Sequence, residues 1–216
     1  MIDFHTHTFF SDGELIPSEL MQRAKTAGYT ALAITDHADS SNIGCLLSKY
    51  ADFIKVNNDY ADITLLPGVE ITHVIPSLIS VCVQESRRFG AKVVGVHGET
   101  LVEPVPAGTN RAAIEAGADF LAHPGLISEE DVKLAAQKGV YLELTTRRGH
   151  SLTNGHVAKL AKKYGAKLIL NTDSHSPSDL IGDSFRNAVI LGAGLDSDDL
   201  KQIIANSEEL ISKILR

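Results

Sequence analysis

Short apolar runs alternate with stretches of helical spacing along the whole chain, and this alternation restricts the fold more than any other feature. The runs fall at Ile2–His5, Ala31–Thr35, Thr64–Ile71, Lys92–His97, Phe120–His123, Val140–Leu144 and Leu168–Asn171. Helical spacing fills Ser18–Ala27, Leu46–Asn57, Pro76–Phe89, Asn110–Ala116, Glu129–Gln137, Thr153–Tyr164, Asp179–Leu191 and a closing segment, Asp198–Ile214. A helix between successive strands predicts parallel strands in a sheet covered by helices. Gly28, Gly90, Gly117, Gly139 and Gly165 each end a helical pattern, where a C-terminal glycine belongs. Ser128, ahead of Glu129, Glu130 and Asp131, predicts a helix N-cap with acids placed favourably for the helix dipole. No Pro-, Gly- or Ser-rich linker interrupts the pattern, so residues 1–216 are expected to form one domain.

A barrel and an open doubly wound sheet both satisfy this alternation, and the polar residues separate them. His5, His7, Asp36, His37, Glu70, His97, His123, Glu143, Asp173 and His175 stand at or just beyond the C-terminal ends of the runs. An open sheet gathers its ligands at one switch point, whereas a barrel converges every strand end on one mouth. The expected architecture is therefore α/β, a distorted (β/α)7 TIM-like barrel of parallel strands with outer helices.

Each of these residues has an ordinary reading when taken alone. An His-x-His pair can be a surface feature, Asp36-His37 a helix cap, Glu70 an ion-pair partner, and Asp173-Ser174-His175 a loop. Taken together those readings fail. So many carboxylates and imidazoles at convergent strand ends would each be costly to bury without partners. Divalent cations supply such partners, and nitrogen and oxygen donors without thiolates suit zinc, manganese or iron. Ten candidates exceed the needs of one tetrahedral ion, so two or three ions are expected.

The bulk properties narrow the partners. Hydrophobic content of 44% supports a substantial core, while a net charge of -7 and a pI near 5.7 argue against a surface that tracks nucleic-acid backbone. Nucleic acid remains conceivable only as a substrate. Cys45 and Cys82 lie far apart without a Cys-x-x-Cys pattern, which predicts buried free thiols in a reducing compartment. Neither a signal peptide nor a membrane-spanning run is evident, so the expectation is a cytoplasmic protein without membrane contact.

The ordered succession FHTHT, SDG, TDH, GVE, VHGE, AHPG, LEL and NTDSH, spanning residues 3 to 175, resembles the polymerase-and-histidinol-phosphatase (PHP) superfamily of metal-dependent phosphoesterases. The resemblance implies a distorted seven-stranded barrel with a trinuclear centre. It implies that His5, His7 and Asp173 hold one ion, that Glu70 bridges to a second completed by His97 and His123, and that Asp12, His37 and His175 hold a third. Three carboxylates and six neutral imidazoles would leave three divalent cations with an excess of about three positive charges. The mouth of an acidic protein would thus attract anions, and phosphate fits.

Arg147 and Arg148 follow the sixth run and are candidates to clamp phosphate, with two solvated loop arginines as the plain alternative. His150 is a candidate phosphate contact or leaving-group acid. Asp36 and Glu99 are candidates to orient ligands from behind. His73 and His156 are expected at the surface. The leading expectation is a phosphomonoesterase acting on a small phosphorylated metabolite, with histidinol phosphate the substrate the resemblance supplies. The alternatives are a phosphodiesterase or nuclease releasing mononucleotides, and a scaffold like the ribonuclease P barrel subunit. The chain itself carries no indication of oligomeric state.

Overall fold

A computed structural model describes residues 1–216. The strands are β1 (Ile2–Asp3), β2 (Ala31–Ile34), β3 (His37–Ala38), β4 (Thr64–Ile71), β5 (Val93–His97), β6 (Phe120–Ala122), β7 (Tyr141–Thr145) and β8 (Leu168–Asn171). The helices are α1 (Pro17–Thr26), α2 (Ile43–Asn58), α3 (Pro76–Arg88), α4 (Thr109–Ala116), α5 (Glu129–Lys138), α6 (Asn154–Tyr164), α7 (Asp183–Gly192) and α8 (Ser197–Ile214). Seven strands follow the path β1-β2-β4-β5-β6-β7-β8, every pair parallel, as the alternation predicts.

The sheet nearly closes into a barrel, and the seam between β1 and β8 is made largely by side chains. The Phe4 N–H donates to Asn171 Oδ1 at 2.9 Å, and the Thr172 hydroxyl donates to Asp3 Oδ2 at 2.6 Å. Beyond the strands, a parallel bridge pairs Thr6 with Ser174, and the His7 N–H reaches the Ser174 carbonyl at 2.8 Å.

The second run differs from expectation. It stops at Ile34, and β3 resumes after Thr35 and Asp36, pairing with β4 alone. Asp36 explains the break: its carboxylate accepts from the Thr8 N–H and hydroxyl, each at 2.7 Å, from Ser11 at 2.6 Å, and from the Tyr50 hydroxyl. Turning that side chain to the loop after β1 bends the strand.

Glycines open the barrel to a large interior residue. A Cβ at Gly95 would lie 2.4 Å from the Phe120 ring, so only glycine lets that ring fill the lumen. Phe4, Ala33, Leu66, Val93, Phe120, Tyr141 and Ile169 form this inner plug with Leu210 of α8, which lies across the N-terminal end. A larger cluster of 42 buried residues joins the outer strand faces to the helices.

Helix boundaries follow the local signals with two exceptions. Ser128 accepts from the Asp131 N–H as expected, and all five C-terminal glycines have positive φ. The segment expected as one helix from Asp179 is a 3-10 turn at Pro177–Asp179, then α7 from Asp183. Helix α2 begins at Ile43, three residues before the expected start, and leaves Cys45 exposed; only Cys82 is buried. His156, expected at the surface, is half-buried and bonds the Ile127 carbonyl at 2.9 Å.

Candidate metal centre

Side chains alternate along a strand, so the faces that fill the plug continue upward into the mouth. Leu66 and Gly68 lead to Glu70, Val93 and Gly95 to His97, Tyr141 to Glu143, and Ile169 and Asn171 to Asp173. At the centre, His5 Nε2 lies 3.3 Å from Glu70 Oε1 and 3.6 Å from Asp173 Oδ1. His7 Nε2 lies 3.2 Å from Asp173 Oδ1 and 3.7 Å from Glu70 Oε2. His123 Nε2 completes the ring, 3.5 Å from Glu70 and 3.6 Å from Asp173.

Three donors at the centre, and the His123 nitrogen on the side of its ring away from Glu70 and Asp173, lack hydrogen-bond partners. His5 Nε2, His7 Nε2, Glu70 Oε1 and His123 Nδ1 are buried and make no hydrogen bond. Buried polar atoms are rarely left so, because each forfeits its bonds to water without replacement. His123 and Asp173 also hold positive φ angles of 25° and 53°, a region non-glycine residues seldom adopt.

Toward one side of the mouth, Asp12 Oδ1 gathers His175 Nε2 at 3.1 Å, His37 Nε2 at 3.4 Å and His7 Nδ1 at 3.9 Å. Toward the other, Glu103 Oε2 lies 3.0 Å from His73 Nε2 and 3.1 Å from His97 Nε2. Its second oxygen is 3.4 Å from His150 Nε2. Cation-sized groups of donors result: His7, Asp12, His37 and His175; His5, His123 and Asp173; His5, His7 and Glu70; Glu70, His97 and His123; and His73, His97 and Glu103. His7 therefore stands between two groups.

The charges interlock. Burial works against a charged His5, but the carboxylates of Glu143, Glu70 and Asp173 prevail and hold it well above the usual histidine range. Burial likewise opposes His37, which Asp12 and Glu70 nevertheless raise to about 10. Burial pushes His7 down to about 4 against the pull of Asp173, and pushes His150 to about 4 with help from His123. Burial would raise Glu70, Asp173 and Asp12, yet the surrounding imidazoles hold all three below the usual carboxylate range. The bond from His97 brings Glu103 to about 2, against the effect of burial.

Behind the donors stands a second set of carboxylates. Glu143 Oε1 lies 2.8 Å from His5 Nδ1 and accepts from Asn171 Nδ2 at 2.8 Å, while Oε2 accepts from the His123 N–H at 2.9 Å. Asp3, raised by burial to about 6, bonds Thr172 and the His5 N–H.

The nine polar residues Asp12, His37, His97, Glu103, His123, Arg147, His150, Asp173 and His175 line a cavity of about 40 Å³. Arg147 lines it and pairs with Asp179 at 3.4 Å, whereas Arg148 is exposed and takes no part in the lining. Glu99 turns to the start of α4, where it accepts from the N–H groups of Gly108 at 3.0 Å and Asn110 at 2.9 Å. His73 is exposed, as expected, but reaches Glu103. Glu103 itself carried no sequence signal: it lies in LVEPVPAG, outside any strand or helical period.

Comparison with known proteins places this geometry. A PHP domain matches residues 3–206. An uncharacterized protein of Methanocaldococcus jannaschii is 46% identical over 98% of this chain and 99% of its own. A probable phosphatase of Clostridium botulinum is 26% identical over 81% of this chain and 79% of its own. Ribonuclease P protein component 3 of Methanosarcina barkeri is 27% identical over 98% of this chain and 88% of its own. Among solved structures, archaeal ribonuclease P with mature tRNA contains a chain with a TM-score of 0.73 at 18% identity, over 99% of this chain and 91% of that one. The domain match and the relative of nearly half-identical sequence together show that this chain belongs to the PHP domain family.

Proposed function

We propose that the chain is a metal-dependent phosphoesterase, a phosphomonoesterase of small phosphorylated metabolites. The observation that carries this reading is the group of buried, unbonded donors His5 Nε2, His7 Nε2 and Glu70 Oε1. Such atoms fit a cation, because coordination replaces the hydrogen bonds they lack. His5, His7 and Asp173 would hold one ion, Glu70 with His97 and His123 a second, and Asp12, His37 and His175 a third, with His7 within reach of that last group. Divalent zinc, manganese or iron, when bound, supplies Lewis-acid polarisation of a phosphoryl oxygen and a more acidic water.

The chain's own residues do the rest. Glu143 fixes the tautomer of His5 by accepting from Nδ1–H, which turns Nε2 toward the centre. Arg147 presents a guanidinium at the cavity wall, where it would hold phosphate oxygens while Asp179 steadies it. His150, oriented by the Thr100 hydroxyl at 2.8 Å, would border the leaving-group side. The cavity is small and lined only by polar residues, which disfavours a threaded polymer. Low-identity relatives named as phosphatases support the same reading.

One observation favours a second reading, a scaffold for RNA: the ribonuclease P component is similar over almost the full chain. A single experiment separates them. Elemental analysis after reconstitution is paired with hydrolysis of an aryl phosphate and its bis-aryl diester. Two or three ions per chain, with monoester turnover lost in His5→Ala and Glu70→Ala, is the expected result. Diester preference would move the assignment to a nuclease, and tight RNA binding by metal-free protein would favour the scaffold.

A further inference from the structure

We propose that Glu103 is an additional, displaceable ligand of the ion assigned above to Glu70, His97 and His123, and that it occupies the place of a substrate phosphoryl oxygen until substrate arrives. This rests on the proposed phosphoesterase reading.

The argument begins with His97. Its Nδ1 is engaged with the Gly98 carbonyl at 3.1 Å, so Nε2 is the nitrogen left for a cation. Glu103 Oε2 lies 3.1 Å from that same Nε2. A cation bound at His97 therefore falls within reach of Glu103, and a carboxylate beside a cation coordinates it.

Room is the second point. A water needs about 10–15 Å³ of such space, so the cavity of about 40 Å³ offers roughly three positions. Ions held at His97 and His123 and at Asp12, His37 and His175, all of which line it, would take most of that space, and a phosphoryl group could enter only if a lining group left. Glu103 is the group best able to leave. It sits on the connection between β5 and α4, where residues 101–105 make one backbone hydrogen bond, from the Val105 N–H to the carbonyl of Glu103 itself. Both ends of that connection are anchored, by Gly98 N–H to the Ala122 carbonyl at 3.0 Å and by Gly108 N–H to Glu99 at 3.0 Å.

The third point is where the carboxylate goes. His73, in the left-handed region at φ 54°, presents Nε2 to Glu103 from the exposed rim. A non-glycine residue held there is strained, and the strain places an imidazole that keeps one bond to Glu103 as it moves outward. The carboxylate thus stands in for an anion at the cation and yields to one.

The test compares wild-type, Glu103→Gln and Glu103→Asp proteins, each loaded with manganese and checked for metal content. Inorganic phosphate is titrated by calorimetry, and KM for an aryl phosphate is measured alongside. Removing a competing anion should tighten phosphate binding about tenfold in Glu103→Gln and lower KM in step. Glu103→Asp keeps the charge but shortens the reach, and should behave like the Gln variant. Unchanged or weaker phosphate binding at unchanged metal content would overturn the inference alone. Loss of one ion from both variants would also overturn it, making Glu103 a fixed ligand. Failure of the wild-type protein to bind metal would bring down the phosphoesterase reading itself, and is seen before any variant is compared.

Discussion

The two ends of the barrel use the same strands and obey opposite rules. At the floor, the inward positions of β4, β5, β7 and β8 are Leu66, Val93, Tyr141 and Ile169, closed by Phe120 and by Leu210 of α8. Two or four residues onward the same faces carry Glu70, His97, Glu143 and Asp173, all buried. The floor has its contacts satisfied by packing. The mouth holds unbonded donors and three non-glycine residues at positive φ, His73, His123 and Asp173. The contrast teaches that stability is made at one end and spent on binding capacity at the other.

The largest test of that contrast is removal of the cations. Each site saturated at a hundredfold excess over its Kd adds about 2.7 kcal/mol. A domain of this size gains about 2–4 °C of Tm per kcal/mol, so two sites should raise Tm by roughly 10–20 °C. Stripping with a chelator should abolish phosphate-ester hydrolysis and lower Tm by that amount. A stripped protein that melts where the loaded one does would mean that the unbonded donors hold nothing in reserve.

The floor should respond in the other sense. Phe120→Ala empties the plug beneath the site and should cost about 3–5 kcal/mol, read by urea denaturation, while the folded fraction keeps its metal content. The His5 ring centroid lies 5.5 Å from that of Phe120, so plug and site meet there. If the milder Phe120→Leu folds but loses an ion, floor and mouth are one unit and the comparison fails.

How far this division could be read from the sequence depended on whether the signal was periodic. The strand–helix alternation is local, so it located seven strands and, within a few residues, the helices. The polar strand ends were visible because each closes an apolar run, as Glu70 closes LLPGVE and Asp173 follows LILNT. Glu103 was invisible because a loop has no period, and its place depends on how residues 98–108 fold back over His97. The choice between Arg147 and Arg148 turned on how the loop after β7 folds, which places Arg147 in the cavity wall and leaves Arg148 exposed and which no pattern announces. The break before β3 arose from Asp36 reaching Thr8, Ser11 and Tyr50, contacts that only the tertiary fold creates.

A smaller effect, confined to the boundary between the two ends, is expected at Glu143. Glu143→Gln keeps the shape of the side chain but removes the charge that fixes His5 Nδ1–H. Metal affinity should fall about 10–100-fold, measured by competition with a chromophoric chelator, with little change in urea stability of the metal-free protein. Equal affinity would show that His5 is positioned by packing alone.

The smallest effect is a slope against pH, and its sign follows from the imidazoles. In the metal-free protein His37 is raised from 6.5 to about 10, so the folded state keeps a proton that the unfolded chain gives up. Its contribution is complete below about pH 6.5 and is lost as pH rises toward about 10. His7 acts oppositely: lowered to about 4, it adds stability as pH rises from about 4 to 6.5. The metal-free mouth should therefore be most stable near pH 6.5. On the alkaline side the loss is at most about 1.4 kcal/mol per pH unit for each such histidine, and His5, also held above the usual range, adds to the slope measured by urea melts. Saturating cation should flatten that side, because a coordinated His37 carries no proton in either direction. The floor adds no slope there: Glu209, held near 2 by Lys167 and Lys213, is ionised throughout the window. An alkaline slope that survives metal loading would place the responsible group outside the mouth, and the division between the two ends would have to be redrawn.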